Sequence, residues 1–454
     1  MIYIGTSSVN NAKYKEAQVS ISEQLAFFMP LMISEFSIVI IYPLINAGLA
    51  RLQSPEIYIS AFEVAKGVMI FVQSPLTMVR QTVTVMIDGI KSYYKVRRFI
   101  VTVVALLFLF FVFFAFSDLA SWVFEHVIGI EGKTLDASVI ILRIMIFAPV
   151  AVSIRDFNQG ISILFRKTSL ITVATVMRIA SITIMILVMD KLILIPAVIA
   201  GFMLLSSVST ECITMFLGVR VAIGNISEKT EMFRTDYGII DRKEITDRII
   251  LRFFWPLAVT SFIRNLAIPI INMGLARTDS PEIAISAYSV AWAVGMIFLS
   301  PTMVFHQVPL NFIRNSCNNN LKSVRIFAAY LGIILSSFIA IMSFTGIGYY
   351  VIRNIIGATA EISVMCIDVL RLMTVLPVIM IAREFYWGIL MRKHMTHFIS
   401  KGKVINLVAL TLTIAVMTFI EPVNPAVVGI VGMISSEGGE FLYLYRIARK
   451  CKVA

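Results

Sequence analysis

The chain has 454 residues, 58% of them apolar and only 15% charged, with a mean hydropathy of +0.88. Soluble domains run nearer half apolar and a quarter charged, so a disordered chain and a disulfide-stapled secreted domain are excluded and lipid must solvate part of the surface. The net charge of +12 does not mark a nucleic-acid binder, because the basic residues sit at the ends of apolar stretches, where they report topology.

Along the chain, the first twenty residues are polar and lack the apolar core of a secretory leader, so no cleaved signal peptide is expected. A membrane-spanning helix needs about 20 apolar residues between polar flanks. Twelve stretches qualify: 23–51, 57–88, 98–124, 136–161, 168–190 and 193–222, then 249–277, 283–313, 323–350, 362–391, 398–420 and 424–447. Basic residues gather in alternate connections, beginning with Lys13 and Lys15, then Lys91, Lys95, Arg97 and Arg98, then Arg166 and Lys167. They continue in the segment 223–248 (Lys229, Arg234, Arg242, Lys243, Arg248), in Arg314, Lys322 and Arg325, in Arg392, Lys393, Lys401 and Lys403, and in the tail from Arg446. The opposite connections hold Glu125, Glu131, Asp136, Asp190, Asp279, Glu282, Glu361 and Glu421. By the positive-inside rule the basic side is cytoplasmic, and both termini are expected there. Cys212, Cys317, Cys366 and Cys451 have no metal-ligand spacing and read as small apolar filler, so no metal and no cofactor is expected.

The chain repeats itself. Phe27-Phe28-Met29-Pro30-Leu31 returns as Phe253-Phe254-Trp255-Pro256-Leu257, and Pro43-Leu44-Ile45-Asn46 with Gly48 to Arg51 returns as Pro269-Ile270-Ile271-Asn272 with Gly274 to Arg277. Ser54-Pro55-Glu56 recurs as Ser280-Pro281-Glu282 and Ser74-Pro75 as Ser300-Pro301; 25 of the 55 positions from 27 to 81 are identical. After a shift of two residues, Leu142-Arg143 with Pro149, Arg155-Asp156 and Gly160 answer to Leu370-Arg371 with Pro377, Arg383-Glu384 and Gly388. Glu211 and Arg220 match Glu440 and Arg449. Six spans per half is an even number, so the halves share one orientation: an all-α membrane protein of two six-helix lobes, 1–222 and 249–454, about an axis along the membrane normal, joined by a connector over 223–248. That form belongs to secondary transporters, with substrate held between the lobes. There is no Walker A sequence and no catalytic signature, so neither ATP-driven transport by this chain alone nor an enzyme is expected.

The segment Ile249 to Ala258, with Arg264, Pro269 to Asn272 and Arg277, resembles the progressive-ankylosis (ANK) family, as do Leu370-Arg371, Pro377-Val378, Arg383 and Trp387-Gly388. The wider pattern resembles the multidrug/oligosaccharidyl-lipid/polysaccharide (MOP) exporter superfamily, which includes the MATE exporters. The resemblance implies rocking-lobe export of a small organic solute. ANK relatives imply anions such as pyrophosphate, nucleotides or citrate; MATE relatives imply organic cations exchanged for H⁺ or Na⁺.

Charges inside the membrane must arbitrate, because each costs roughly 2.5–3.5 kcal/mol to insert and so faces a partner or a water-filled cavity. Glu63 and Lys66, three apart, can pair on one helix face. Arg155-Asp156 and Arg383-Glu384 recur in both halves, as do Glu211 and Glu440, and are read as structural or lobe-coupling charges. Adjacent residues on a helix point about 100° apart, so each arginine is expected to seek another helix, with Arg143 or Arg178 serving the acids. Glu35 and Arg264 stand alone in their halves, their counterparts being Ser261 and Ile38. They are expected either to form a cross-lobe pair or to act as a proton-coupling carboxylate and an anion-binding cation. Arg80 and His306 are repeat counterparts, each followed by glutamine; a histidine there can sense pH or serve as an interfacial donor. Asn46, Asn272, Glu63 and Lys66 complete the candidates for substrate or coupling ion.

The expected protein is a multi-pass transporter, in a prokaryotic plasma membrane on the strength of its short loops, exporting a small organic anion through a cavity lined by the first, second, seventh and eighth spans. The alternatives are a MATE-like exporter of organic cations coupled to H⁺ or Na⁺ and a flippase for a lipid-linked saccharide. Its partners are a small-molecule substrate, the coupling ion and membrane lipid.

Overall fold

A computed structural model describes residues 19–49, 51, 55–128, 130–189, 195–224, 245–278, 281–313 and 318–451. All regular structure among them is helical. We number the spans α1 to α12. In the first half these are α1 (Ile21–Leu49), α2 (Pro55–Gln73, Ser74–Met78 and Val79–Met86), α3 (Ile90–Phe116), α4 (Gly132–Met145 and Ala148–Leu164), α5 (Ser169–Val188) and α6 (Pro196–Ile223). In the second half they are α7 (Asp247–Asn265 and Ala267–Leu275), α8 (Pro281–Leu299, Ser300–Val304 and Gln307–Phe312), α9 (Asn318–Phe344), α10 (Ala360–Met373 and Leu376–Arg392), α11 (Thr396–Ile420) and α12 (Val427–Lys450). Eleven are long and apolar enough to cross a membrane as they stand, and α10, bent by 41° between its pieces, makes twelve. The expected count is met.

Proline places the interruptions. It lacks an N–H and restricts the residue before it, so a helix tends to end ahead of it and a new one to start on it. Pro149 and Pro377 open the second pieces of α4 and α10. Ser-Pro opens the tight 3-10 segments Ser74–Met78 and Ser300–Val304 in the middle of α2 and α8. In α7 the break falls at Leu266, just ahead of Pro269, whereas α1 stays helical through Pro30 and Pro43. Ser54 and Ser280 of the repeated Ser-Pro-Glu, and the connector residues Lys229, Arg234, Arg242 and Lys243, lie outside the described residues.

The apolar core divides unevenly. At the end of the molecule that carries the basic connections, one continuous core takes residues from both halves, among them Phe28, Leu31, Val83, Phe254, Leu257, Phe305 and Phe327. At the opposite end there are two cores, one drawn entirely from the first half and one entirely from the second. Across the shared core, Phe28 of α1 meets Phe327 of α9 at 6.1 Å between ring centroids, and its repeat counterpart Phe254 of α7 meets Phe99 of α3 at 5.5 Å, both edge to face. Polar contacts reinforce this end: Gln24 donates to Ser323 at 2.7 Å, Ser323 donates to the Val19 carbonyl at 2.6 Å, and Thr77 lies 3.3 Å from Ser261. The halves are therefore closed together on the basic side and separate on the other.

Candidate functional site

A cavity of about 470 Å³ lies between the halves above the shared core. The breaks in α2 and α8 aim Arg80 and His306 into it, and two glycines set how closely α4 and α10 approach. A Cβ on Gly160 would stand 2.9 Å from the Arg80 carbonyl oxygen, and one on Gly388 would stand 2.5 Å from the carbonyl oxygen of His306. Only glycine fits there, and the close packing sets Arg155-Asp156 and Arg383-Glu384, about one turn along, against the two broken spans.

In the first half, Arg155 donates to Asp156 at 2.9 Å and to Glu211 at 3.1 Å, while Arg178 donates to Glu211 at 2.9 Å. Gln159 donates to Glu211 at 3.3 Å, and Arg80 donates to Gln159 at 3.2 Å and to Glu35 at 3.3 Å. In the second half, Arg383 donates to Glu384 at 2.5 Å and to Glu437. Glu440 accepts from Lys403 at 3.0 Å, Asn406 at 3.0 Å and Trp387 at 2.9 Å. His306 Nδ1 lies 2.5 Å from Glu384, and its Nε2 lies 3.3 Å from the amide nitrogens of both Gln81 and Gln307. The ring is thus held at both nitrogens, by the Glu384 carboxylate on one side and the two glutamine amides on the other. Gln81 comes from the other half, so this contact bridges the halves.

The expectations are met in part. Arg155 and Arg383 each reach another helix as expected, to Glu211 and Glu437, but they also pair with their own neighbours; a guanidinium on a three-methylene stem reaches around the helix where no lipid competes. Arg178 serves Glu211, while Arg143 donates to the Ala115 carbonyl at 3.1 Å and lies over the Phe116 ring. Glu35 and Arg264 both line the cavity but do not pair with each other, because Arg80 holds Glu35. Lys403, counted with the basic flanks, is 4% exposed and belongs to the buried network.

Arg264 is the exception in this lining. It sits in the last turn before the break in α7, is exposed to the cavity, and makes no ion pair or hydrogen bond among the described residues. The carboxylates that act on it through space are Glu384 and Glu35, opposed by Arg383 and Arg80. Of the remaining candidates, Glu63 and Lys66 pair with each other on α2 away from the cavity lining. Asn272 is half-buried and also off it. The Asn46 side chain lies outside the described residues.

The sequence reading missed Gln159, Trp387, Lys403 and Asn406 as network members, and the aromatic lining of Tyr288 and Trp292. Lys403 and Asn406, three apart in an otherwise apolar span, were a usable signal. No cluster of three or more side chains suited to a metal ion occurs among the described residues.

The sequence matches the family described as progressive ankylosis protein (ANKH) over residues 16–282 and 239–438. No curated protein matches it. Among solved structures, a MATE transporter in its bent conformation superposes with a TM-score of 0.74 at 13% identity, covering 96% of this chain and 97% of that one. A MOP superfamily transporter from Pyrococcus furiosus, described by the reverse polarity of its binding pocket, gives 0.73 at 12% identity, covering 96% of each chain. A eukaryotic MATE transporter gives 0.70 at 10% identity, covering 94% of this chain and 95% of that one.

Proposed function

Because the chain belongs to the progressive ankylosis protein family and has the fold of the MOP-superfamily transporters, we propose that it exports a small organic anion from the cytoplasm by rocking of residues 1–222 against 249–454 about the 223–248 connector. The observation that carries this reading is Arg264, a cation open to the central cavity with no partner among the described residues, where every other lining arginine and lysine is paired. An unpaired guanidinium in a low-dielectric cavity is a site awaiting an anion, since no carboxylate among the described residues hydrogen-bonds to it and Glu384 and Glu35 act on it only through space. With the basic connections on the cytoplasmic face, the shared core seals the cytoplasmic side and the cavity opens outward, the state in which an exporter releases its load. Glu35, held by Arg80, is less available as a cation site, which favours the anion over the MATE-like reading.

The test is flux in proteoliposomes under an imposed pH or Na⁺ gradient, comparing organic anions with a cationic dye for wild type, Glu35→Gln and Arg264→Ala. Anion flux is expected, reduced at least tenfold by Arg264→Ala. Cation flux abolished by Glu35→Gln, with no anion flux, would replace this reading with the MATE-like one.

A further inference from the structure

The wall around Arg264 narrows the kind of anion. Past the break in α7, Ile268 and Ile271 line the cavity beyond Arg264, and from α8 come Tyr288, Trp292 and Met296, all from the second half. Tyr288 and Trp292, one turn apart, stack at 6.0 Å between centroids with 19° between their planes. The stack is braced from behind: a Cβ on Gly429 of α12 would lie 2.6 Å from the Tyr288 ring, so glycine makes the space the ring fills. Tyr288 is buried and Trp292 is half-exposed on the cavity.

The repeat shows that this wall is peculiar to the second half. Trp292 stands where the first half has Lys66, and Arg264 stands where it has Ile38. One half thus exchanges an ammonium for an indole and an aliphatic side chain for a guanidinium.

We infer that the transported anion is amphiphilic and singly charged, with a carboxylate or similar head on Arg264 and a planar apolar body against Trp292; the inference rests on the anion reading above and deepens it. A trianion or tetra-anion such as citrate or pyrophosphate would bring several negative charges to one free cation. The others are committed to Glu35, Asp156, Glu211, Glu384, Glu437 and Glu440, and uncompensated charge in a buried site is strongly unfavourable. An apolar ring, by contrast, loses water-exposed surface against the indole and meets a face suited to offset stacking. The cavity volume lies within the range of sites that enclose ligands of this size.

The experiment measures proteoliposome uptake of radiolabelled indole-3-acetate, with cyclohexane carboxylate, citrate and pyrophosphate as competitors. It uses wild type, Arg264→Ala, Trp292→Ala, Trp292→Phe and Trp292→Lys, each checked for thermal stability in detergent. The expected result is indole-3-acetate uptake inhibited at least tenfold better by the ring monocarboxylate than by citrate or pyrophosphate. Trp292→Ala should raise the KM about tenfold, Trp292→Phe should restore it, and Trp292→Lys, which reinstates the first half's residue, should shift preference toward citrate. Arg264-dependent flux of citrate or pyrophosphate that ignores every Trp292 substitution would overturn the amphiphile while leaving the anion reading in place. Absence of any anion flux would overturn both.

Discussion

Glu440 is fully buried and accepts hydrogen bonds from Trp387, Lys403 and Asn406. Removing it strands an ammonium and an indole N–H in the protein interior, and breaking a buried pair from one side costs about 3–5 kcal/mol. Asp247, exposed beside Arg98 at the basic ends of α7 and α3, is a pair of the surface kind, worth roughly 0–1 kcal/mol. Thermal unfolding in detergent should therefore show a large fall in the midpoint for Glu440→Ala and little for Asp247→Ala. Equal effects would mean that the second-half network does not hold α10, α11 and α12 together. The two halves solve the same problem with different chemistry at matching positions. Arg80 holds Glu35 with a guanidinium, while His306 meets Glu384 with an imidazole. The second half thereby places the imidazole at a contact bridging the halves, through Gln81.

At the level of single spans, the repeated Ser-Pro and the repeated glycine act together. The tight segments Ser74–Met78 and Ser300–Val304 turn the helix, and Gly160 and Gly388 let the neighbouring span close on the carbonyls of Arg80 and His306. Gly388→Ala would push α10 off α8 at backbone that cannot yield, and overpacking of this kind costs about 1–3 kcal/mol. The expected outcome is lower stability together with loss of transport, whereas alanine at Gly438, where a Cβ meets nothing, should be silent. Indifference of both properties to Gly388→Ala would mean the approach of α10 is not what positions Arg383 and Glu384. These spans were legible in the sequence because Pro149, Pro377, Ser74-Pro75 and Ser300-Pro301 announce their own breaks. The direction in which each charge points was not. Most of the spans are apolar all round, so periodicity assigns no inner face, and the neighbour pairing of Arg155 with Asp156 depends on side-chain reach rather than helix angle. Lys403 was counted with the basic loop beside it although its spacing from Asn406 marked it, and Trp292 was hidden by being one aromatic among many in a lipid-facing composition.

Over the whole molecule, the repeat made two like halves predictable, but not which end they would share. That follows from pairs the sequence separates by more than two hundred residues, such as Phe28 with Phe327 and Gln24 with Ser323. The asymmetry has a thermal consequence. If the halves rock, the aromatic surfaces of the basic end must part and meet water, and exposing apolar surface carries a positive heat-capacity change and weakens as a driving force on cooling. The balance between the two arrangements should then bend with temperature instead of following a single activation enthalpy. Transport measured over a range of temperatures in lipid that stays fluid throughout should give a curved Arrhenius plot. Phe28→Ala, which removes a ring lodged against Phe305 and Phe327, should flatten it. Straight, parallel plots for both proteins would place the cost of opening outside this core. For a cell, the curvature would make the closed side a thermometer of sorts: the warmer the membrane, the more firmly the seal between the halves holds until other motions overtake it.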